Sequence, residues 1–256
     1  MDLGITDKVA LVTGGSRGLG RQAAFSLARE GAKVAICART REALDQTVQE
    51  LRGLGATAEG VAGDVGDSHD CERIHRETVA ALGPVDILVN NVGGRSRGNV
   101  LEATEEQWKQ SVDLTLMAAV RMTKLVLPGM QARRWGRIVN IASIWGREYG
   151  GSAAYMATKA ALIALTKHTA LAVIEDGVLV NSVAPGSILV PGGSWDRFQR
   201  NEPPEVVRRF IEGLPMGRFG WPEPVGDLVA FLASERAGFL TGACINIDGG
   251  QSHSLV

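Results

Sequence analysis

Tyr155 and Lys159 are the two residues whose types and spacing speak first of chemistry. On a helix, positions four apart share a face with Cβ atoms about 5–6 Å apart, close enough for an ammonium to act on a phenol. A tyrosine ordinarily titrates near 10, and each unit of depression requires about 1.4 kcal/mol of preference for the phenolate. A neighbouring cation, joined by the positive charge of an oxidised nicotinamide, can supply several such units and yield a proton-transfer group useful near neutrality. Ser143 upstream offers a second hydroxyl, and Thr13-Gly14-Gly15-Ser16-Arg17-Gly18-Leu19-Gly20 is a glycine-rich turn of the kind that grips a pyrophosphate. A proton donor, a hydroxyl and a phosphate turn are together the equipment of hydride transfer.

These groups have to be positioned, and the sequence indicates by what. Short β-branched runs alternate with longer helical patterns, the signature of βαβ units and a parallel sheet covered on both faces. Strands are expected at Val9–Thr13, Lys33–Ala38, 57–62, Ile87–Asn90, 137–141, 179–183 and Cys244–Ile247, and helices at 18–30, 41–54, 69–82, 105–132, 153–175 and 223–233. Right-handed crossovers then make the sheet doubly wound, seven-stranded and mostly parallel. Ser143 and Tyr155 fall at the carboxyl edge of such a sheet, where open α/β folds bind ligands. The interval 186–222 breaks the rhythm. It is rich in Pro and Gly, carries Trp195, Phe198, Phe210 and Trp221, and includes the amphipathic piece Pro204–Glu212, so it is expected to form a substrate lid.

Composition narrows the class. With 256 residues, 45% hydrophobic and 21% charged, the chain can bury a large core as one domain spanning 1–256. A net charge of −1 gives no electrostatic reason to expect nucleic acid or an anionic membrane as partner. The first strand follows the N-terminus without a basic-then-apolar leader. The most apolar helical stretch, 160–174, is interrupted by Lys167 and His168 and falls short of a membrane span, so a cytoplasmic protein is expected. Cys37, Cys71 and Cys244 are odd in number and far apart, and His69, His75, His168 and His253 lack ligand spacing; free thiols and no metal are expected.

Taken in order, Thr13 to Gly20, Asp64-Val65, Asn90-Asn91-Val92-Gly93, Ser143, Tyr155 to Lys159, Asn181 to Gly186 and Asp248-Gly249-Gly250 resemble the short-chain dehydrogenase/reductase family in its form of about 250 residues, from Lys8 to Gly250. The resemblance implies a Rossmann-type fold and an NAD(P)-dependent enzyme acting on CH–OH groups. It also implies that Ser143 hydrogen-bonds the substrate oxygen, that Tyr155 gives or takes its proton, and that Lys159 lowers the tyrosine pKa and holds the nicotinamide ribose. The family usually has an asparagine in its long fourth helix, where it holds a water of the proton relay. Aligning Trp108 to Leu125 puts Thr115 there, a shorter group that can still bond a water.

For the cofactor, Gly14, Ser16, Arg17, Gly18, Leu19 and Gly20 form the phosphate turn, with the spacing Gly-x-x-x-Gly-x-Gly of this family. Where dinucleotide folds carry an acid on the adenosine ribose, this chain has Ala38, followed by Arg39. Arg39 and Arg17 can bracket a 2′-phosphate through charge-assisted forks, so NADP(H) is preferred and NAD(H) remains possible. Arg39 could instead stack on adenine and Arg17 could be a solvated loop residue. Asp64 and Val65 resemble the pair that holds the adenine edge, although Asp64 could equally cap the next helix. Asn91 and Gly93 carry the chain past the cofactor ribose or steady the sheet. Pro185, Gly186 and the backbone of Ile188 are expected against the nicotinamide, with Val190 replacing a common threonine.

The expected substrate is a small carbonyl or alcohol compound. Arg95, Arg97, Trp145, Arg147, Tyr149, Trp195 and Phe198 surround the expected pocket, a mixture suited to a ring or a carboxylate. The general resemblance to 3-oxoacyl-carrier-protein reductases makes a 3-oxoacyl thioester the main candidate, with Arg133 and Arg134 either meeting an acidic carrier or merely finishing a helix. Oxidation of a polyol, sugar or cyclic alcohol is the alternative, and a catalytically silent NADPH-sensing protein a remote one. Relatives assemble as dimers or tetramers and a homotetramer is expected, with the late apolar residues Phe231, Leu232, Phe239 and Leu240 either at contacts between copies or in the ordinary core.

Overall fold

Seven strands order themselves β3-β2-β1-β4-β5-β6-β7, every neighbouring pair parallel, in a computed structural model that describes residues 2–93 and 98–255. They are β1 Val9–Thr13, β2 Lys33–Ala38, β3 Ala58–Ala62, β4 Ile87–Asn90, β5 Gly136–Ile141, β6 Val178–Pro185 and β7 Cys244–Ile247. Among the described residues the helices are α1 Gly18–Arg29, α2 Arg41–Gly53, α3 Ser68–Leu82, α4 Glu105–Ser111, α5 Ala118–Arg133, α6 Ala153–Val173, α7 Ser194–Asn201, α8 Pro204–Glu212 and α9 Pro222–Leu232.

The inner strands read as unbroken apolar runs because helices cover both faces, so every residue of β1, β4, β5 and β6 is buried. Successive side chains still part to opposite sides. Ala10 and Val12 join Val34, Ile36 and Val89 against Leu27 of α1, Leu44 of α2 and Val229 of α9. Leu11 and Leu88 go the other way, to Ile74 of α3, Met122 of α5 and Ala170 of α6. Helices α1 and α9 approach closely. A Cβ on Gly226 would lie 2.7 Å from Ser26 Oγ, and that hydroxyl donates to Asp227 at 2.9 Å.

Strand order reverses beside β1, since the chain leaves it for β2 on one side and returns to β4 on the other. The carboxyl ends of β1 and β4 therefore open a crevice between diverging crossovers, the place where such sheets bind ligands.

Three elements differ from expectation. The helix expected over 105–132 is interrupted by the π-helical segment Val112–Met117, between α4 and α5. Widened turns of this kind redirect side chains and concentrate at functional sites; here the turn carries Thr115, which is buried. The segment 186–222 contains a second helix, α7, that its polar composition concealed. The run Ala153–Asp176 spans 24 residues and is apolar enough by length and composition to cross a membrane, more than the interrupted stretch counted from the sequence. In the fold its buried side chains, Leu162 and Val173 among them, pack into the protein core. Of the late apolar residues, Leu232 is core whereas Phe239 stands fully in solvent.

The amino ends of the strands are tied by a different device. Trp135 lies between two cations, with Lys8 Nζ at 4.0 Å and the Arg137 guanidinium at 4.4 Å from its ring centroid, and its Nε1 donates to Glu235 at 2.6 Å. Arg137 is buried, so its charge is held below its ordinary pKa by desolvation and supported by Glu235 at 3.6 Å. Glu235→Ala removes that counter-charge and the indole's acceptor, and is expected to cost about 1–3 kcal/mol. A urea titration checks this through a lowered midpoint at constant slope; an unchanged midpoint would contradict it.

Candidate active site

The crevice is built from the ends of β1 and β4 interlocked. Thr13 Oγ1 donates to Val89 O at 3.3 Å and accepts from the backbone N–H groups of Asn91 and Val92 at 2.9 and 3.3 Å. The Asn91 amide returns to Thr13 O and Gly14 O at 3.0 and 3.3 Å. That close approach dictates glycine. A Cβ on Gly20 would sit 2.4 Å from Asn91 Nδ2, and Gly14, at φ +64°, would meet Val92 at 2.9 Å. Gly15 of the same turn lies against β2, where a Cβ would meet Ile36 at 2.5 Å. Helix α1 then starts at Gly18 with Arg17 as its N-cap and no side-chain cap or acidic residue in its first turn. Its leading N–H groups and the positive end of its dipole are thus left for an anion, and the backbone is bare enough for a pyrophosphate to reach them.

At the rim beyond β2 and β3, Arg39 pairs with Asp64 at 3.6 Å, both partly in solvent. Asp64 also accepts from Gly66 N at 2.9 Å. It does not cap the next helix: that cap is Asp67, which accepts from Asp70 N at 3.0 Å. Val65 is buried, and Ser16 contributes its carbonyl to the Thr47 hydroxyl at 3.2 Å. Leu19 packs partly against the core.

Ser143, just past β5, caps a short 3₁₀ turn, Ile144–Gly146, accepting from Trp145 N at 3.2 Å. Tyr155 enters from the first turn of α6, its hydroxyl hydrogen-bonded to the Ser143 side chain. One turn on, the buried Lys159 donates from Nζ to Ile141 O at 2.5 Å and sits 5.7 Å from the Tyr155 ring centroid. Gly93 faces the same lysine: a Cβ there would lie 3.3 Å from Nζ and 3.8 Å from Thr115 Oγ1. Ser143, Tyr155, Lys159, Thr115 and Gly93 therefore converge. Burial pushes the Tyr155 phenol above its ordinary value, with the Ser143 bond pulling it partly back, and burial pushes Lys159 down to about 8. The depression of Tyr155 expected from its cationic neighbour is not met by the chain's own groups, because desolvation outweighs the Ser143 hydrogen bond.

Residues 8–197 match the short chain dehydrogenase family. The chain is a short-chain dehydrogenase. Over 246 residues it is 34% identical to the 3-oxoacyl-[acyl-carrier-protein] reductase FabG of Staphylococcus aureus, covering 95% of this chain and 98% of the relative. Among solved structures it is similar to L-sorbose reductase from Gluconobacter frateurii complexed with NADPH and L-sorbose, with a TM-score of 0.93 and 33% identity over 100% of both chains. It also resembles a variant of actinorhodin polyketide ketoreductase with NADPH, TM-score 0.91, 36% identical over 96% of this chain and 97% of the other. This short-chain dehydrogenase is accordingly an oxidoreductase acting on carbonyl or alcohol groups.

Pro185 ends β6; beyond it Gly186 N donates to Ile247 O at 3.2 Å, and a Cβ on Gly186 would strike Asp248 at 2.7 Å. Ile188 uses its own N–H on Gly186 O at 3.0 Å. Arg147 turns away from the crevice and donates to Cys244 O at 2.6 Å, while Glu148 accepts from His253 N at 2.9 Å and Gln251 from Ser187 N at 2.8 Å. Residues 244–253 thereby brace the loop after Ser143 and the start of the segment 186–222. Arg133 and Arg134 are engaged on Val85 O, Asp86 and Glu175 O, so they finish a helix end and brace its neighbours. Tyr149 stands in solvent, and Arg95 and Arg97 lie outside the described residues. The sequence reading missed Trp145 as a hub. Its ring meets Tyr155 edge-on at 6.3 Å and Trp195 of the lid at 6.2 Å; the signal was the pair Gly150-Gly151, on which the indole lies.

Proposed function

We propose that this dehydrogenase reduces a ketone to a secondary alcohol with NADPH, a 3-oxoacyl thioester being the favoured substrate class. The observation that carries the reading is the convergence of Ser143, Tyr155 and Lys159 beside the interlocked glycine turn. The reductase names of its relatives, two of them described with NADPH, support it. Bound in the crevice, NADPH supplies the hydride. Gly14 to Gly20 and the start of α1 hold its pyrophosphate, and Arg17 and Arg39, both exposed, reach the 2′-phosphate. Asp64, Val65, Asn91, Gly93 and Pro185 to Ile188 line the rest of its path.

Ser143 accepts a hydrogen bond from Trp145 N and lies against the Tyr155 hydroxyl, so its own hydrogen is available to a substrate oxygen that enters between the two. Tyr155, kept as a neutral phenol by burial, donates to the same oxygen and releases its proton as charge gathers there. Lys159 stabilises the phenolate left behind, and Thr115 on the π-turn stands beside it as the exit for the replacement proton. Donors aimed at an oxygen that becomes negative favour the transition state over the ketone.

The pH dependence follows from the two shifts. Lys159 loses its charge as pH rises through about 8, whereas Tyr155, raised, is still protonated there. Reductive kcat/KM is therefore expected to be level below pH 8 and to fall above it, and Lys159→Met is expected to abolish the break. A profile flat through pH 8 in the native enzyme would remove Lys159 from this role. Likeness to L-sorbose reductase over both whole chains favours a second reading, a sugar or polyol substrate. NADPH and NADH oxidation with acetoacetyl thioester and L-sorbose distinguishes the two; turnover with neither would count against reduction by this site.

A further inference from the structure

A run of ring contacts leads from the loop after Ser143 into the segment 186–222, crossing between them at Trp145 and Trp195. Trp145 is T-shaped on Tyr155, at 82° between planes, and touches Trp195 of α7 at 59°. Trp195 stacks on Phe210 of α8 at 4.6 Å and meets Phe198 and Phe219 at 5.6 and 5.5 Å. Phe210 in turn meets Phe198 and Phe219. On its far side Trp145 is fixed. A Cβ on Gly150 or Gly151 would penetrate the indole at 2.2 or 2.6 Å, so the ring lies flat on bare backbone and cannot retreat.

Trp145 flanks both groups that would bond the substrate oxygen, through its N–H to Ser143 and its ring on Tyr155. An oxygen held by those two hydroxyls at about 2.7 Å brings the carbon substituents of the ketone into contact with whatever borders them. Here the border is an indole, and the nearest charged side chain on that loop, Arg147, is engaged on Cys244 O. An indole next to the reacting carbon offers water or hydroxyl groups one donor at its edge and an otherwise apolar face, which a flat apolar group covers better. In this structure Trp195 covers it. Trp195 is the second residue of α7, three positions after Gly192, which stands at φ +67° with nothing within 4 Å of where a Cβ would be; Gly193 is buried against Val190.

Resting on the reductase reading above, we propose that Trp145 is the specificity-determining residue and that the substrate carries a flat apolar ring close to its carbonyl, which takes the place of Trp195 against Trp145. Within the oxoacyl class this selects ring-bearing over straight-chain compounds.

The test compares two thioesters that differ only in the group beyond the ketone, 3-oxo-4-phenylbutanoyl and acetoacetyl N-acetylcysteamine, with NADPH, in the native enzyme and in Trp145→Ala. The native enzyme is expected to favour the phenyl compound in kcat/KM by about ten-fold, and Trp145→Ala to reduce that ratio at least about three-fold, mainly through KM. A native ratio of one or below, or a ratio that Trp145→Ala leaves within about three-fold of native, overturns the proposal. If Trp145→Ala does not fold by circular dichroism, Trp145→Leu is read by the same criterion. Absence of NADPH-dependent turnover of either thioester and of L-sorbose by the native enzyme would instead strike the reductase reading itself.

Discussion

Tyr155→Phe is expected to lower kcat for carbonyl reduction by about 10³-fold while leaving NADPH binding within a few-fold, because general acid catalysis by a positioned group contributes roughly 10²–10⁴. The phenyl ring preserves the edge-on contact with Trp145 and the apolar burial, so the fold and the lid contact survive. What disappears is the one acidic hydrogen in line with Ser143. Fluorescence titration with NADPH, alongside steady-state rates, separates the two quantities. A Tyr155→Phe enzyme that binds cofactor and turns over at the native rate would show that protonation of the oxygen comes from elsewhere, and the assignment of Ser143 and Lys159 would go with it.

Arg39→Asp is expected to shift the ratio of kcat/KM for NADPH over NADH by about 10²-fold or more towards NADH, given that a charge-assisted bond contributes some 1.5–3 kcal/mol and a factor of ten corresponds to about 1.4 kcal/mol. The substitution does two things. It removes the guanidinium proposed to meet the 2′-phosphate, and it places at the end of β2 a carboxylate able to accept hydrogen bonds from an unphosphorylated ribose. Asp64, 3.6 Å from Arg39, then becomes a second acid beside the first and adds to the repulsion of a phosphate. Arg39→Ala, which does only the first, should move the ratio less. An unchanged ratio in Arg39→Asp would show that Arg39 is a solvated rim residue.

The sheet was legible because its strands are short, apolar and separated by helix-length patterns; β1, β2, β4 and β7 begin and end where the residues alone put them. The glycine turn was legible for a related reason, since Gly14 and Gly20 are required by backbone approach and such requirements are written in residue type. Tertiary choices were less visible. Nothing in Val112–Met117 distinguishes a π-turn from the α-helix around it, because the difference is one of hydrogen-bond partner and not of side-chain pattern. Asp64 and Asp67 are equally good helix caps on paper, and only the position of α3 selects Asp67. Trp145 was seen as one aromatic among several near the pocket. Its place between Tyr155 and Trp195 depends on a loop folding back over Gly150 and Gly151, a contact that no local pattern encodes.

The braces that run from the loop after Ser143 to Cys244 O, from Ser187 to Gln251 and from Glu148 to His253 make the two halves of the crevice separable. All three partners lie between positions 244 and 253, whereas the interlock of β1 with β4 around the glycine turn uses none of them. Removing residues 251–256 takes away Gln251 and the His253 N–H but leaves the seven strands intact, and is expected to depress turnover while sparing nucleotide binding, since the walls around Ser143 lose their support and the anion pocket does not.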